Sequence, residues 1–205
     1  MAARLTRILV FAREPAAGKA KTRLIPALGE EGAARLARVM LGNALTEAAA
    51  ANIGPVELVG DSHPETWGQP IEGLALSAQV GADLGERMGE AVERVLARDE
   101  RAIVTGTDCP GLDAARIAEA AHALETHDVA IIPATDGGYV LIGFRRFDQS
   151  IFANVDWGKD AVLAATLRNI KTLGWSVWQG EPLPDIDDPD DLKHVPATWL
   201  VDAER

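Results

Sequence analysis

Cysteine is almost absent from the sequence. Cys109 is the one cysteine among 205 residues, so no disulfide can form within the chain. A lone thiol favours a reducing compartment, and we expect a cytoplasmic protein. Long apolar runs are missing too: none approaches the length of a membrane-spanning helix, about 18 residues, and the run ILVFA near the start is too short for a signal peptide. We therefore expect no membrane partner.

Histidine and positive charge are scarce as well. The four histidines are scattered without metal-binding spacing, at His63, His122, His127 and His194. Lys and Arg number 20 against 31 Asp and Glu, which gives a formal net charge of −11. A surface of this charge repels a phosphate backbone, so the composition argues against a general nucleic-acid partner. A local basic cluster in such a chain is better suited to one small anion.

Apolar segments alternate with amphipathic ones along the chain. The short apolar runs typical of buried strands lie at residues 7–12, 55–60, 101–106, 128–134, 138–144 and 175–180. Helical spacing of apolar residues is found over residues 30–51, 84–98, 113–127 and 159–174. This alternation predicts one Rossmann-like α/β domain over residues 1–205, with a mainly parallel sheet and helices on both faces. Ligands of such sheets bind beyond the carboxyl ends of the strands, so functional residues are expected just after the apolar runs.

The loop after the first predicted strand, FAREPAAGKAKTRLIP, is unusually basic for this chain. It holds four positive side chains, at Arg13, Lys19, Lys21 and Arg23. Gly18 lets the backbone approach a ligand, while Arg and Lys bind phosphate oxygens. The loop is not a Walker A motif, because Ala20 follows Gly18-Lys19 and Arg13 takes the place of the first glycine. The loop predicts a phosphate site, and the alternative is a solvated surface loop.

An aspartate follows the third predicted strand, in the segment VTGTDCPGL. Asp108 lies two residues past the strand end, where a carboxylate can bind a divalent cation that neutralises nucleotide phosphates. The alternative is that Asp108 serves only as a turn residue before Pro110. The residues around it leave both interpretations open.

The segment PDIDDPDDL, residues 184–192, contains five aspartates. Part of it suits a helix start, with an N-cap, a proline and two acidic residues in the first turn, at Asp188, Pro189, Asp190 and Asp191. That explanation leaves out Asp185 and Asp187. These two alternating carboxylates can complete the cation site opened by Asp108.

Glycines accompany an aspartate in two further segments. In ATDGGYVLIG, Asp136 ends a strand and Gly137-Gly138 leave backbone N–H groups free to face a ligand. A hairpin turn is the alternative there, because Asp-Gly between apolar runs is a strong turn signal. In QVGADLGERM, Asp83 precedes Gly85. That segment predicts either a nucleobase or ribose contact or a plain helix start capped by Asp83.

Five of these segments resemble one bacterial family in sequence and in order. They are FAREPAAGKAKTRL, QVGADLGERM, GTDCPGL, ATDGGYVLIG and DIDDPDDL. The family consists of small glycosyltransferase-A-like proteins, labelled arsenosugar-biosynthesis or radical-SAM/selenodomain-associated glycosyltransferases. The resemblance spans roughly residues 7–195. It places the chain in the superfamily of nucleotide-diphospho-sugar transferases, which also includes the 2-phospho-lactate guanylyltransferases.

The resemblance implies a bound nucleotide, as an NTP or a nucleotide sugar, with Mg²⁺ or Mn²⁺ as cofactor. By this match Arg13, Lys21 and Arg23 hold the phosphates. We expect further nucleotide contacts from Gly18 and Thr22 in the same loop and from Asp83, Leu84 and Gly85 in the second. The metal ligands are Asp108 and Asp187. The acceptor is a small molecule, and its binding site is lined by Thr135, Gly137, Gly138 and Tyr139. The catalytic residues are Asp136, Lys21 and Arg23.

The sequence departs from the family pattern at two places. Arg13 and Glu14 stand where a lysine and a small residue are usual, and the positive charge is thereby kept. Lys159, in DWGKDAVL, stands where a small hydroxyl residue is common.

Two reactions use such a site. Asp108-Cys109-Pro110 is similar to the Asp-x-Pro of nucleotidyltransferases rather than to the Asp-x-Asp of glycosyltransferases with this fold. We therefore expect nucleotidyl transfer from an NTP to a small phosphorylated or acidic acceptor, with Asp136 as a base or as a further metal ligand. Glycosyl transfer from a nucleotide sugar is the alternative. A nucleotide-binding partner protein without catalysis is a third possibility, from a different class.

Overall fold

The computed structural model describes residues 4–67, 73–158 and 160–204, with the backbone alone for residues 201–204. Seven strands lie within this part of the chain: β1 (Thr6–Ala12), β2 (Val56–Gly60), β3 (Ala75–Ala78), β4 (Arg101–Thr105), β5 (Val129–Pro133), β6 (Tyr139–Phe144) and β7 (Val177–Gln179). The same part holds five α-helices: α1 (Ile25–Ala50), α2 (Leu84–Leu96), α3 (Ala114–Ala123), α4 (Val162–Thr172) and α5 (Ala197–Glu204). No helix in these ranges is long and apolar enough to cross a membrane.

The strands form one sheet in the order β3-β2-β1-β4-β6-β5-β7. Every pairing is parallel except those of β6, which runs antiparallel to both β4 and β5. The predicted single-domain, mainly parallel α/β sheet is confirmed. Because six strands point the same way, the loops after them gather at one edge of the sheet, called here the carboxyl edge.

Strand β1 shows why helices cover both faces of the sheet. All seven of its residues are buried, and successive side chains of a strand point to opposite faces. Ile8 and Val10 pack in a core cluster with residues of α1 and α3, whereas Leu9 and Phe11 pack in a second cluster with residues of α2 and α4. A strand buried on both faces has no polar alternation, which is why the run from Ile8 to Ala12 is apolar throughout. Arg7, just before it, is also buried and pairs with Glu100 at 2.7 Å.

Several elements differ from the sequence prediction in their bounds. Helix α1 begins at Ile25, ahead of the predicted start, and is kinked at Gly29, where φ is 70°. Strand β3 was not predicted, because its four residues ALSA are short, weakly apolar and partly exposed. The helix expected after Asp188 is a 3₁₀ helix, Pro189–His194, with Asp188 at the predicted N-cap. Asp191 completes a capping box by accepting a hydrogen bond of 2.8 Å from Asp188 N. Helix α5 was not predicted.

The C-terminal segment crosses the carboxyl edge of the sheet through main-chain hydrogen bonds. Thr135 N donates to the Leu183 carbonyl at 3.0 Å, just after β5. Ile186 N donates to the Asp108 carbonyl at 2.8 Å, just after β4. These bonds fix residues 183–187 against the loops that follow the two strands. The acidic segment near the C-terminus is thereby held beside Asp108.

Candidate functional site

Lys21 joins three loops at the carboxyl edge. Its ammonium nitrogen lies 2.8 Å from Asp108 Oδ1 and 3.3 Å from Asp187 Oδ1, and it also donates to the Ile186 carbonyl. The residue adopts a left-handed backbone, with φ 47° and ψ 43°, directly before the 3₁₀ helix Thr22–Leu24. This turn directs the side chain from the first loop into the space between Asp108 and Asp187. Residues far apart in the sequence thus meet at one ammonium group.

The other basic residues of the first loop are arranged differently. Arg23 lies 3.6 Å from Asp187 Oδ2, and its side chain is 61% exposed. Lys19 pairs with Glu14 at 2.7 Å. Arg13 is exposed and makes no ion pair within the part of the chain that the structure describes. Lys21 and Arg23 therefore share the acidic partner, while Arg13 and Lys19 do not contact it.

Gly18 and Thr22, which the resemblance also places at the nucleotide, are both exposed. Gly18 has φ +74°, a left-handed conformation that other L-residues rarely adopt. Thr22 begins the 3₁₀ helix. An exposed loop with a sharp turn at glycine leaves the main chain open to an approaching anion.

Four carboxylates influence one another at this edge. Burial, together with the negative charges of Asp136, Asp187 and Asp108, raises the pKa of Asp185 to about 6. A cavity of about 120 Å³ opens between Asp108 and Asp185, and its other lining residues are Gly106, Cys109, Tyr139 and Val140. The site therefore concentrates negative charge beside a small cavity.

Cys109 lines the same cavity, and its thiol is largely buried. Burial, with a smaller effect from the charge of Asp185, raises the pKa of this thiol to about 11. A thiol with a pKa this high stays protonated at neutral pH and is a poor nucleophile. Cys109 contributes volume and shape to the cavity rather than covalent chemistry.

The residues fit a divalent cation by the chemistry of their donor atoms. Carboxylate oxygens are the ligands that Mg²⁺ and Mn²⁺ prefer, and Asp108 and Asp187 both supply them. Within the described ranges no three His, Cys, Asp or Glu side chains are already grouped as a metal site. Instead the Lys21 ammonium stands between the two predicted ligands.

Asp136 lies in the turn between β5 and β6. Its Oδ1 accepts a hydrogen bond of 2.8 Å from Gly138 N, so the predicted hairpin turn is present at the residue proposed for catalysis. Gly137 has φ +95°, and a Cβ there would lie 2.0 Å from the Asp160 carbonyl oxygen. Gly137 also accepts a hydrogen bond from Leu163 N at the start of α4. Tight packing against α4 thus fixes the turn and the Asp136 side chain.

Two other residues predicted on the acceptor side flank this turn. Thr135 is exposed, and its main chain is bonded to Leu183. Tyr139 lines the cavity, but its hydroxyl oxygen is buried, and burial raises its pKa. Lys159 lies outside the described residues. Tyr139 therefore offers the cavity its ring and main chain, with the hydroxyl directed into the protein.

The segment QVGADLGERM begins α2. Asp83 accepts a 2.9 Å hydrogen bond from Glu86 N, so the predicted helix cap is present. Gly85 is needed for packing, because a Cβ there would lie 2.9 Å from Phe152 Cβ. Leu84 is exposed. The helix start thus explains Asp83 and Gly85, and Leu84 is the side chain left free for a ligand.

Sequence reasoning missed one residue that positions this segment. The Gln79 amide donates to the carbonyls of Ala12 at 3.3 Å and Val59 at 3.2 Å. These carbonyls lie at the carboxyl ends of β1 and β2, so Gln79 holds residues 79–83 beside the first loop. The signal in the sequence was weak, since β3 itself was not recognised.

Residues 42–159 match the bacterial family DUF2064, which is described as "Uncharacterized protein conserved in bacteria". The chain belongs to this family. A crystal structure from Desulfovibrio desulfuricans G20, assigned as a nucleotide-diphospho-sugar transferase, is 32% identical, with a TM-score of 0.86 over 94% of this DUF2064 chain and 87% of that chain. The fold is therefore that of the nucleotide-diphospho-sugar transferases of the glycosyltransferase-A type. No curated protein matches the chain.

More distant solved structures share the fold of this DUF2064 chain. A CMP:2-keto-3-deoxy-manno-octonic acid synthetase complexed with CTP is 12% identical, with a TM-score of 0.57 over 93% of this chain and 96% of that one. Rv0371c of Mycobacterium tuberculosis, in complex with manganese, is 15% identical, with a TM-score of 0.54 over 94% of this chain and 97% of that one. At such identities the likeness concerns the fold.

Proposed function

We propose that this chain is a Mg²⁺- or Mn²⁺-dependent transferase that moves a nucleotidyl group from an NTP to a small phosphorylated or acidic acceptor. One observation carries the proposal: Lys21 and Arg23 of the first loop converge with Asp108 and Asp187 at the carboxyl edge. Cations suited to phosphate and carboxylates suited to a metal are both needed to bind a metal-bound triphosphate. The proposal includes the narrower assignment to the arsenosugar or radical-SAM-associated group.

The first loop binds the triphosphate in this proposal. Lys21 and Arg23 contact its oxygens, while Gly18 and Thr22 bring the main chain close and Arg13 contributes charge from the solvent side. Asp83, Leu84 and Gly85 contact the nucleoside. Asp108 and Asp187 hold the metal ion, which when bound neutralises the phosphate charge.

The acceptor lies beside Asp136, against Thr135, Gly137 and Gly138 of the turn, and extends into the cavity that Tyr139 lines. An acceptor oxygen forms the new bond to the α-phosphorus, the bond from that phosphorus to the bridging oxygen breaks, and pyrophosphate leaves. Positioning and neutralisation of the developing charge supply most of the acceleration in phosphoryl chemistry. Lys21 and Arg23 stabilise the departing negative charge, and Asp136 orients the acceptor or takes its proton.

The fold relatives support this choice of reaction by analogy. The synthetase complexed with CTP is a nucleotide-using enzyme, and Rv0371c binds manganese in its crystal. The local sequence Asp108-Cys109-Pro110 points in the same direction. A shared fold alone does not define a reaction, so the argument depends on the side chains at the carboxyl edge.

Glycosyl transfer from a nucleotide sugar is the second candidate, and one observation favours it. Asp108 and Asp185 line the cavity, and the charge of Asp136 acts on Asp185. A hydroxyl acceptor needs a base to remove its proton, which a phosphate acceptor does not. A carboxylate-rich cavity suits such a hydroxyl.

The two reactions release different products. The protein is incubated with Mg²⁺, each NTP and a panel of phosphorylated or carboxylic acids, and pyrophosphate is measured. A parallel series uses nucleotide sugars with hydroxyl acceptors, and free UDP or GDP is measured. Pyrophosphate release supports the proposal, whereas nucleoside diphosphate release alone supports glycosyl transfer. If nucleotides bind but neither product is released, the result supports a nucleotide-binding partner protein without catalysis.

A further inference from the structure

Lys21 is more deeply buried than the carboxylates that it contacts. Its side chain is 8% exposed, against 46% for Asp108 and 44% for Asp187. A charged ammonium at such depth requires partners for its hydrogens. The Lys21 ammonium has three hydrogens, and three acceptors surround it: Asp108, Asp187 and the Ile186 carbonyl. Lys21 has no hydrogen left over for a phosphate.

This arrangement conflicts with a fixed role for Lys21 as a phosphate ligand. A lysine that contacts a triphosphate must direct at least one hydrogen to it, and every hydrogen of Lys21 already has a partner within the protein. The same two carboxylates are the ones proposed to hold the metal. Lys21, which contacts Oδ1 of each, and the metal therefore compete for the carboxylates of Asp108 and Asp187.

We propose that Lys21 is an exchangeable counter-cation, which neutralises Asp108 and Asp187 until a metal-bound nucleotide arrives and then moves to the phosphates. This inference rests on the proposed function. Its consequence is a coupling between two ligands, since a metal ion that binds alone must replace the ammonium without offering Lys21 a new partner. A nucleotide supplies that partner. By linkage, each ligand raises the affinity for the other by the same factor.

Arg23 does not fit this role. Its contact with Asp187 is longer, at 3.6 Å, and its side chain is largely exposed. The left-handed backbone of Lys21 also singles out this position, because an L-residue with a long side chain rarely adopts it and the turn serves to direct the side chain inward.

The first test measures Mn²⁺ affinity by isothermal titration calorimetry without nucleotide. Lys21→Met removes the charge and keeps most of the aliphatic stem. We expect Lys21→Met to bind Mn²⁺ at least tenfold more tightly than the wild type. Lys19→Met, whose lysine pairs with Glu14, is expected to stay within twofold of the wild type. Equal or weaker Mn²⁺ binding by Lys21→Met, or no Mn²⁺ binding by any of the proteins, would overturn the exchange.

The second test uses the wild-type protein, so it does not depend on folding of a variant. Lysines are acylated with a limiting amine reagent, and labelling is followed by mass spectrometry. Lys21 should react far more slowly than Lys19, whose side chain is 65% exposed. Saturating Mn²⁺ should raise the labelling rate of Lys21 at least fivefold and leave that of Lys19 unchanged. An unchanged rate at Lys21 would refute the exchange.

The outcomes separate this inference from the proposed function. Pyrophosphate release by the wild type, together with unchanged Mn²⁺ affinity in Lys21→Met, would refute the exchange and retain the transferase. Tighter Mn²⁺ binding by Lys21→Met, with no pyrophosphate release by the wild type, would retain the exchange and refute nucleotidyl transfer.

Discussion

Gly137→Ala should destabilise the protein because the added methyl group has no space. The new Cβ would lie 2.0 Å from the Asp160 carbonyl oxygen and 2.7 Å from its carbon, and both are main-chain atoms that cannot rotate away. The residue also has φ +95°, where an L-side chain costs about 1–2 kcal/mol. The turn must therefore shift, and two hydrogen bonds that depend on it are put at risk.

Those two bonds set the size of the effect. They join Leu163 N to the Gly137 carbonyl at 2.9 Å and Gly138 N to Asp136 Oδ1 at 2.8 Å. Each contributes about 0.5–1.5 kcal/mol to the free energy of unfolding. Adding the backbone strain gives an expected loss of about 2–5 kcal/mol for Gly137→Ala.

A matched control separates strain from collision. Gly158 has φ +86°, close to that of Gly137, but a Cβ there meets nothing within 4 Å. Gly158→Ala should lose only about 1–2 kcal/mol. Urea unfolding of both variants, followed by circular dichroism, measures the difference. Equal losses in the two variants would show that the contact with Asp160 does not constrain the turn, and the explanation given for the position of Asp136 would then fail.

Other perturbations test the site and the fold. In calorimetry, Arg23→Ala should weaken binding of a triphosphate at least tenfold and binding of the matching nucleoside by less than twofold. Equal losses for the two ligands would show that Arg23 does not contact the phosphates. Asp108→Asn should abolish the Mg²⁺ dependence of nucleotide binding. An unchanged dependence would show that Asp108 is not a metal ligand. Gly106→Ala adds a methyl into open space at the cavity, so it should leave the unfolding midpoint unchanged and reduce acceptor binding; full acceptor binding would show that ligands do not use this cavity. Burial raises the pKa of Asp128, but hydrogen bonds from Arg145 and neighbouring groups outweigh it and hold the pKa far below the usual range. The stabilisation by Asp128 is therefore complete above pH about 4 and is lost as pH falls through the lowered pKa. In Asp128→Asn the free energy of unfolding should fall less steeply with decreasing pH below about 4 than in the wild type. Equal slopes in the two proteins, measured by urea unfolding across this pH range, would contradict this.

Much of the fold was predictable because its strands are buried on both faces. Runs such as residues 7–12 have no polar alternation and stand out in the sequence. Helix caps were also predictable, because the Asp83 side chain needs only the main-chain N–H of Glu86, three residues ahead, as its hydrogen-bond donor. Strand β3 escaped prediction because it lies at the sheet edge, where four partly exposed residues need no apolar run.

The candidate site was predictable only in part. Topology brings the ends of β1 and β4 together, so a meeting of Lys21 with Asp108 followed from the predicted parallel sheet. The sequence could not show that Arg13 is exposed without an ion pair among the described residues, because loop side chains have no periodic signal. Nor could it separate the roles of Asp185 and Asp187. Their environment is set by the bond from Ile186 N to Asp108, which joins distant segments.

The contact between Lys21 and Asp187 spans 166 positions of the chain. During synthesis on the ribosome, every strand of the sheet is complete before the second of these residues has been made. A nascent chain can therefore form every strand while it has only half of the charged centre and still lacks the buried side chains of Leu183, Ile186 and Val195. Ligand binding should emerge abruptly with the last turns of the polypeptide, and a truncated product that ends at β7 should be inert.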